Sequence, residues 1–190
     1  MKRKVVGLLG GSFHPAHLGH LHVTHFSFFR FKLDEIWWLF TPGNPLKAQK
    51  PPNINQRIEK SKKLILNPRI KLKTVEAELE IKYTVDTIKK LQEMFLGVKF
   101  IWLMGSDNLI QFDQWKDWRK IMHLIPIGIL ARPSERLTPL RAKAARVYKA
   151  HRIPIRNSRL LASSKAPAWC YVNLPMSTLS SSDLRPKLDK

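Results

Sequence analysis

The sequence carries a single cysteine, Cys170, in 190 residues. One thiol cannot close an internal disulfide or build a cysteine metal site, so a buried structural role is expected for it. Acidic residues are scarce: 14 Asp and Glu stand against 34 Lys and Arg, a formal net charge of +20. That excess suits anionic partners such as nucleotides or nucleic acid. It also suits a solvated coat, because the basic residues are spread along the chain rather than gathered in one block. No apolar run approaches the roughly 18 residues that span a bilayer. The start, MKRKVVGLL, is basic and then apolar, but its apolar part is too short for a signal peptide. A cytoplasmic protein with no membrane partner is expected. Two phosphate-binding patterns are missing as well. There is no glycine-rich loop ending in Gly-Lys-Ser or Gly-Lys-Thr, and GLLGGS is not GxGxxG.

What the chain does have is a globular share of apolar residues, 44%, and an alternation of strand-like and helix-like segments. Strands are expected at residues 4–9, 35–41, 69–75, 99–105, 126–131 and 168–174. Several are continuous apolar runs, as in strands covered on both faces. Helices are expected at 18–31, 54–66, 84–96, 108–123 and 139–150. Val85, Ile88, Leu91 and Phe95 form one stripe of the third, with Thr84 as its N-cap. Thr138 would cap the last, with Pro139 in its first position. This alternation predicts an α/β fold: a Rossmann-like, doubly wound, mostly parallel sheet with helices on both faces. No linker or repeat divides it, so residues 1–190 are read as one domain. Ligands of such sheets lie beyond the carboxyl ends of the strands. Residues 42–53 read as a proline-rich loop and 151–167 as a basic, irregular one.

The most informative stretch is GGSFHPAHLGH, residues 10–20, placed where the first strand gives way to the first helix. Gly10 and Gly11 let backbone approach a ligand closely. A helix starting near His17 offers unpaired N–H groups and partial positive charge, which suit phosphate. His17 and His20 are three apart and share a face in the first turn. Gly19 between them removes bulk, so both imidazoles can donate to one phosphate. His14, His17, His20, His22 and His25 also lie within twelve residues, and a zinc site is the competing reading. No carboxylate lies among them, and Cys170 is remote. His22 and His25 are read as ordinary helix residues.

GGSFHPAHLGH resembles the GxFxPxHxGH signature of the HxGH nucleotidyltransferase superfamily. Within it, the chain is similar to the bacterial nicotinate-nucleotide adenylyltransferases of NAD biosynthesis. TPGNPLK (41–47), YTVDTI (83–88), MGSDNLIQFDQW (104–115) and STLSSSDLR (177–185) match further segments of that family in order.

The resemblance implies transfer of AMP from ATP to nicotinate mononucleotide, giving nicotinate adenine dinucleotide and pyrophosphate. His17 and His20 would contact the ATP phosphates and stabilise the transition state. Backbone groups of Gly10, Gly11, Ser12 and Phe13 would hold the nucleotide. Lys47 would reach the phosphates as a mobile charge, with Arg57 a weaker candidate for the same zone. Ser181, Ser182 and Arg185 would form a second anion seat. Ser182 stands where the family usually has threonine, and the hydroxyl is kept. On the acceptor side, Thr84, Asp107 and Trp115 would meet nicotinate mononucleotide, Trp115 by stacking on the pyridine ring. Arg132 would lie near the substrates. Mg²⁺ would arrive on ATP, with no dedicated protein metal site. His14 stands where relatives commonly have Asp or Asn.

Two alternatives are kept. One is an enzyme that uses the amidated mononucleotide. The other, of a different class, is a basic nucleic-acid-binding module. The second requires basic and aromatic residues interleaved on one surface. The aromatics here fall mainly in strands and apolar helix faces, which points to core. No specific nucleic acid is therefore expected as a partner.

Overall fold

A computed structural model describes residues 3–43, 51–131 and 138–174. Its strands are β1 (Lys4–Gly11), β2 (Glu35–Phe40), β3 (Ile70–Lys73), β4 (Val98–Gly105), β5 (Ile127–Ala131), β6 (Arg152–Ile153) and β7 (Trp169–Asn173). They form one seven-stranded sheet in the order β3–β2–β1–β4–β5–β7–β6. Every pairing is parallel. The order reverses at β1, which lies between β2 and β4. At such a switch point the connections leave on opposite faces and open a crevice beyond the strand ends.

The helices are α1 (Leu18–Phe31), α2 (Ile54–Leu64), α3 (Val75–Glu78), α4 (Thr84–Met94), α5 (Ser106–Gln111), α6 (Trp118–Leu124) and α7 (Lys143–Val147). Strand periodicity divides the core in two. Val5, Leu9, Ile36, Trp38, Phe40, Ile101 and Leu103 point to the side of α1 and α2. Val6, Leu8, Trp37, Leu39, Phe100, Trp102 and Met104 point to the side of α3 to α7. Both faces are therefore covered, which is why the strands read as unbroken apolar runs. Each of these large side chains contributes roughly 1.5–3 kcal/mol by its burial. Cys170 is fully buried on β7, and burial pushes its thiol up to about 11, an inert structural group.

The expected helix 108–123 is broken. α5 runs into a 3-10 turn at Phe112–Gln114, and α6 starts only at Trp118, after Asp117 in a left-handed conformation at φ 53°. The reason is the spacing of Phe112, Trp115, Trp118 and Ile121. Three-residue steps drift by about 60° each around an α-helix, so one straight helix cannot turn all four to the core. The tighter 3-10 turn and the break restore the alignment.

The expected helix 139–150 is also three pieces: a 3-10 turn at Thr138–Arg141, α7, and a 3-10 turn at Lys149–His151. Ala142 is extended (ψ 149°) and turns buried Pro139 and the Ala144, Ala145 and Tyr148 stripe to one core. The Tyr148 carbonyl accepts both the Trp169 indole N–H at 2.7 Å and the His151 N–H at 3.0 Å, where α7 passes into the 3-10 turn. Thr138 therefore opens a 3-10 turn rather than capping a long helix.

Thr84 is not the N-cap of α4. Tyr83 holds that place, with no side-chain cap bond. The stripe of α4 is as expected: Val85, Ile88 and Leu91 are buried, and Phe95 packs against them. The region 151–167 is not irregular throughout, since it contains β6 and a 3-10 segment at Ile155–Ala162.

Candidate active site

The turn after β1 is built by residues that face inward. Phe13 sits in the left-handed region at φ 47°, which costs a non-glycine residue roughly 1–2 kcal/mol. Its ring offsets this by near-complete burial. It lies parallel to Trp38 at 4.6 Å between centroids and tilted against Phe40 and His20 at 4.8 and 5.1 Å. The Phe13 ring is thus part of the core, which leaves only its backbone for the expected nucleotide contact.

Arg57 fixes the same turn. This residue of α2 is 2% exposed. Its Nη1 donates to the Ser12 carbonyl (2.6 Å), Nη2 to the Thr41 carbonyl (3.0 Å) and Nε to the Pro52 carbonyl (2.9 Å). The Thr41 N–H in turn donates to the Gly11 carbonyl at 3.1 Å. Arg57 is the weaker candidate for the phosphate zone. With its fork spent on three carbonyls, it is a clamp joining the turn after β1 to the loop after β2. Gly10 also has a second explanation: a Cβ there would lie 2.9 Å from the Trp102 ring. Its bareness serves packing on β4 as well as the crevice.

The two histidines of the motif cap their own helix. His17 is the N-cap of α1 and His20 is the third helical residue. The Gly19 N–H donates to His17 Nδ1 (3.1 Å), and the His17 N–H donates to His20 Nδ1 (3.3 Å). This is a capping box made of imidazoles. Backbone N–H groups expected to greet phosphate are partly spent on the histidines themselves. A ring nitrogen that accepts an N–H carries no proton, so each neutral imidazole is protonated at Nε2. The rings lie 3.9 Å apart. The two rings therefore stand side by side at the start of α1, each with its proton on Nε2. A ring so arranged offers an N–H rather than a lone pair, which suits an anion and not a metal ion. Among the described residues, no three His, Cys, Asp or Glu side chains gather as a metal site.

Gly19 is required for this geometry. A Cβ there would stand 2.8 Å from His17 Cε1 and Nδ1. Beneath His20, the Trp38 indole N–H donates to Thr24 Oγ1 (2.9 Å), and Thr24 Oγ1 donates to the His20 carbonyl (2.8 Å). Trp38 thus supports both Phe13 and His20. Nothing in the local spacing of Trp38 or Thr24 signals that role.

The residues expected on the acceptor side, Thr84, Asp107 and Trp115, follow strands β3 and β4 in the chain. Thr84 opens α4 and is half-buried. Asp107 is exposed in the first turn of α5, just past β4. A Cβ on Gly105 would meet Asp107 Oδ1 at 2.3 Å, so a bare Gly105 lets the carboxylate fold back over the strand end. Trp115 is half-buried in the break between α5 and α6, not on a helix as expected. It packs edge-on against Phe112 and Trp102 at 5.3 and 6.2 Å. Lys47, Arg132, Ser181, Ser182 and Arg185 lie outside the described residues. His14 and His25 are exposed, and His22 packs its ring on Phe26 at 4.8 Å.

Comparison with known proteins agrees with this picture. Residues 8–187 match the family described as cytidylyltransferase-like. A protein of Ruegeria sp. (strain TM1040) named "Probable nicotinate-nucleotide adenylyltransferase" is 46% identical over 182 residues, covering 96% of this chain and 96% of its own length. One of the same name from Cereibacter sphaeroides (strain ATCC 17023) is 47% identical over 181 residues, covering 95% of this chain and 96% of its own. Among solved structures, Plasmodium falciparum nicotinic acid mononucleotide adenylyltransferase complexed with NaAD superposes with a TM-score of 0.69 at 21% identity. The match covers 96% of this chain and 83% of that one.

Proposed function

The chain belongs to the cytidylyltransferase-like family, and from that premise we propose that it is an adenylyltransferase of NAD biosynthesis, transferring AMP from ATP to nicotinate mononucleotide. Its curated relatives carry that activity in their names. The observation that supports the site is the reciprocal capping of His17 and His20, which occupies Nδ1 of each ring and leaves the proton of the neutral imidazole on Nε2.

The acceptor phosphate oxygen is anionic near neutral pH and attacks the α-phosphorus directly. The bond to the bridging oxygen breaks, and pyrophosphate leaves with that electron pair. No general base is needed. Catalysis rests on alignment and on neutralising charge as phosphorus becomes five-coordinate. Preorganised imidazole N–H groups do this with no reorganisation when the reaction occurs. The Arg57 clamp and the Trp38–Phe13 stack hold the nucleotide loop at the shape the triphosphate needs. Lys47, Ser181, Ser182 and Arg185 are proposed as further phosphate contacts. Thr84, Asp107 and Trp115 are proposed to receive nicotinate mononucleotide.

Mg²⁺ is proposed to enter on the triphosphate, neutralising charge on the departing pyrophosphate. Paired N–H donors fit that arrangement, since they bind phosphate oxygens and leave the cation to the nucleotide and water. No specific nucleic acid partner is proposed: Trp37, Trp38, Trp102, Trp118 and Trp169 are all in the core. No described helix is long and apolar enough to cross a membrane. A cytoplasmic location is part of the same proposal.

Pyrophosphate release tests the function. It should require both ATP and nicotinate mononucleotide and run faster with the acid than with the amide. Faster turnover of the amide would replace the acceptor assignment, and salt-sensitive RNA retention on filters without turnover would replace the enzyme.

A further inference from the structure

Glu76 is a carboxyl group that adenylyl transfer leaves unused. It lies in α3, 8% exposed. It holds both ends of the connection from α3 to α4. Its carbonyl accepts the Ile81 N–H at 2.9 Å, and its Oε1 accepts the hydroxyl of fully buried Thr87 at 3.0 Å. Between them, Glu80 is in the left-handed region at φ 53°, a conformation that needs such anchoring. Thr87 Oγ1 also lies 3.3 Å from the carbonyl of Tyr83. Tyr83 is the N-cap of α4 and gives it no side-chain cap bond. A helix without a cap is held at its start by tertiary contacts or frays. Here the contact is the Glu76 carboxyl on the Thr87 hydroxyl, while the Thr87 N–H donates to the Tyr83 carbonyl at 3.2 Å, next to Thr84.

We propose that Glu76 is a positioning residue for the acceptor: acting through Thr87, it fixes the first turn of α4 and so the Thr84 hydroxyl and the N–H groups offered to nicotinate mononucleotide. This rests on the reading of Thr84 as an acceptor contact. A residue that only stabilised the fold would affect both substrates alike. A positioning residue at this place affects the acceptor alone.

The test is steady-state kinetics with both substrates, with calorimetric binding of nicotinate mononucleotide, on wild type, Glu76→Ala, Glu76→Gln, Thr87→Val and Thr84→Ala. Glu76→Ala should raise KM and Kd for nicotinate mononucleotide about tenfold, the scale of one lost hydrogen bond, with the KM for ATP unchanged. Glu76→Gln keeps an oxygen for the Thr87 hydroxyl and should restore wild-type values. Thr87→Val should copy Glu76→Ala, and stands in for it if that variant does not fold. An unchanged acceptor KM in Glu76→Ala and Thr87→Val, a parallel rise in both KM values, or no rescue by Gln would overturn the proposal. If Thr84→Ala leaves the acceptor KM unchanged, the acceptor reading itself fails. If Thr84→Ala raises it while the Glu76 and Thr87 variants do not, only the role of Glu76 fails.

Discussion

Arg57 Nη1 donates to the Ser12 carbonyl at 2.6 Å, tying helix α2 to the turn after β1 through a buried charge. Arg57→Lys keeps the charge but cannot reach three carbonyls in the planes that a guanidinium fork serves. It should lower kcat/KM for ATP at least tenfold and cost roughly 2–4 kcal/mol of stability, the scale of losing charge-assisted hydrogen bonds in a buried site. Denaturant melts and initial rates check both. Added guanidinium ion should partly restore the rate of Arg57→Ala. A wild-type rate in Arg57→Lys would remove the clamp from the mechanism.

His17 caps α1 and is proposed to contact phosphate, two duties that can be separated. As N-cap its loss to alanine should cost about 1 kcal/mol. Asparagine caps well but places no N–H where Nε2 stands. His17→Asn should therefore recover most of the stability lost in His17→Ala while its kcat stays low. Thermal melts beside turnover rates read out the two duties.

Gly19→Ala should act on rate more than on stability. Its Cβ would displace the His17 ring, which lies 2.8 Å from that position, while alanine itself favours the helix. A fall in kcat of about tenfold or more is expected, with a change in melting free energy under about 1 kcal/mol. A rate equal to wild type would show that the imidazole does not need its present seat.

Glu76 gives a pH dependence. Burial raises its carboxyl from 4.5 to about 7, opposed by the Thr87 hydrogen bond. Below pH 4.5 folded and unfolded chains are both protonated there, and nothing is lost. Between about 4.5 and 7 the unfolded chain ionises first, so the folded state binds more protons and stability falls as pH rises. Above 7 the loss levels off at about 3 kcal/mol. The stability of Glu76→Gln relative to wild type should climb across that window. Denaturation midpoints of the two proteins at a series of pH values measure it, and a flat difference contradicts the assignment.

How much of this was legible in the sequence follows from the range of each interaction. Strand–helix alternation is local and set the sheet, both covered faces and the edge where the motif lies. The three-residue spacing of His17 and His20 put both on one turn. Their mutual capping was not visible, because a histidine is a rare cap and the pattern shows no Ser, Thr or Asp at that position. Phe112, Trp115 and Trp118 read as one helical face because adjacent members of a three-residue spacing are helix neighbours, and the drift of about 60° per step becomes decisive only when all of them must meet one core. Arg57 looked like one more cation in a basic chain. Its role depends on carbonyls of Ser12 and Thr41, 45 and 16 residues away, and no local pattern records them. Trp38 supports His20 through Thr24, which lies 14 residues before Trp38 in sequence.

The central claim is that two backbone-anchored imidazoles hold the triphosphate during transfer. Pyrophosphate release at saturating ATP and nicotinate mononucleotide, compared between wild type, His17→Asn and His20→Ala, addresses it most directly. Both variants should fold and release pyrophosphate about 10²-fold more slowly or worse, the scale of removing a preorganised donor. Wild-type rates in both would contradict the account.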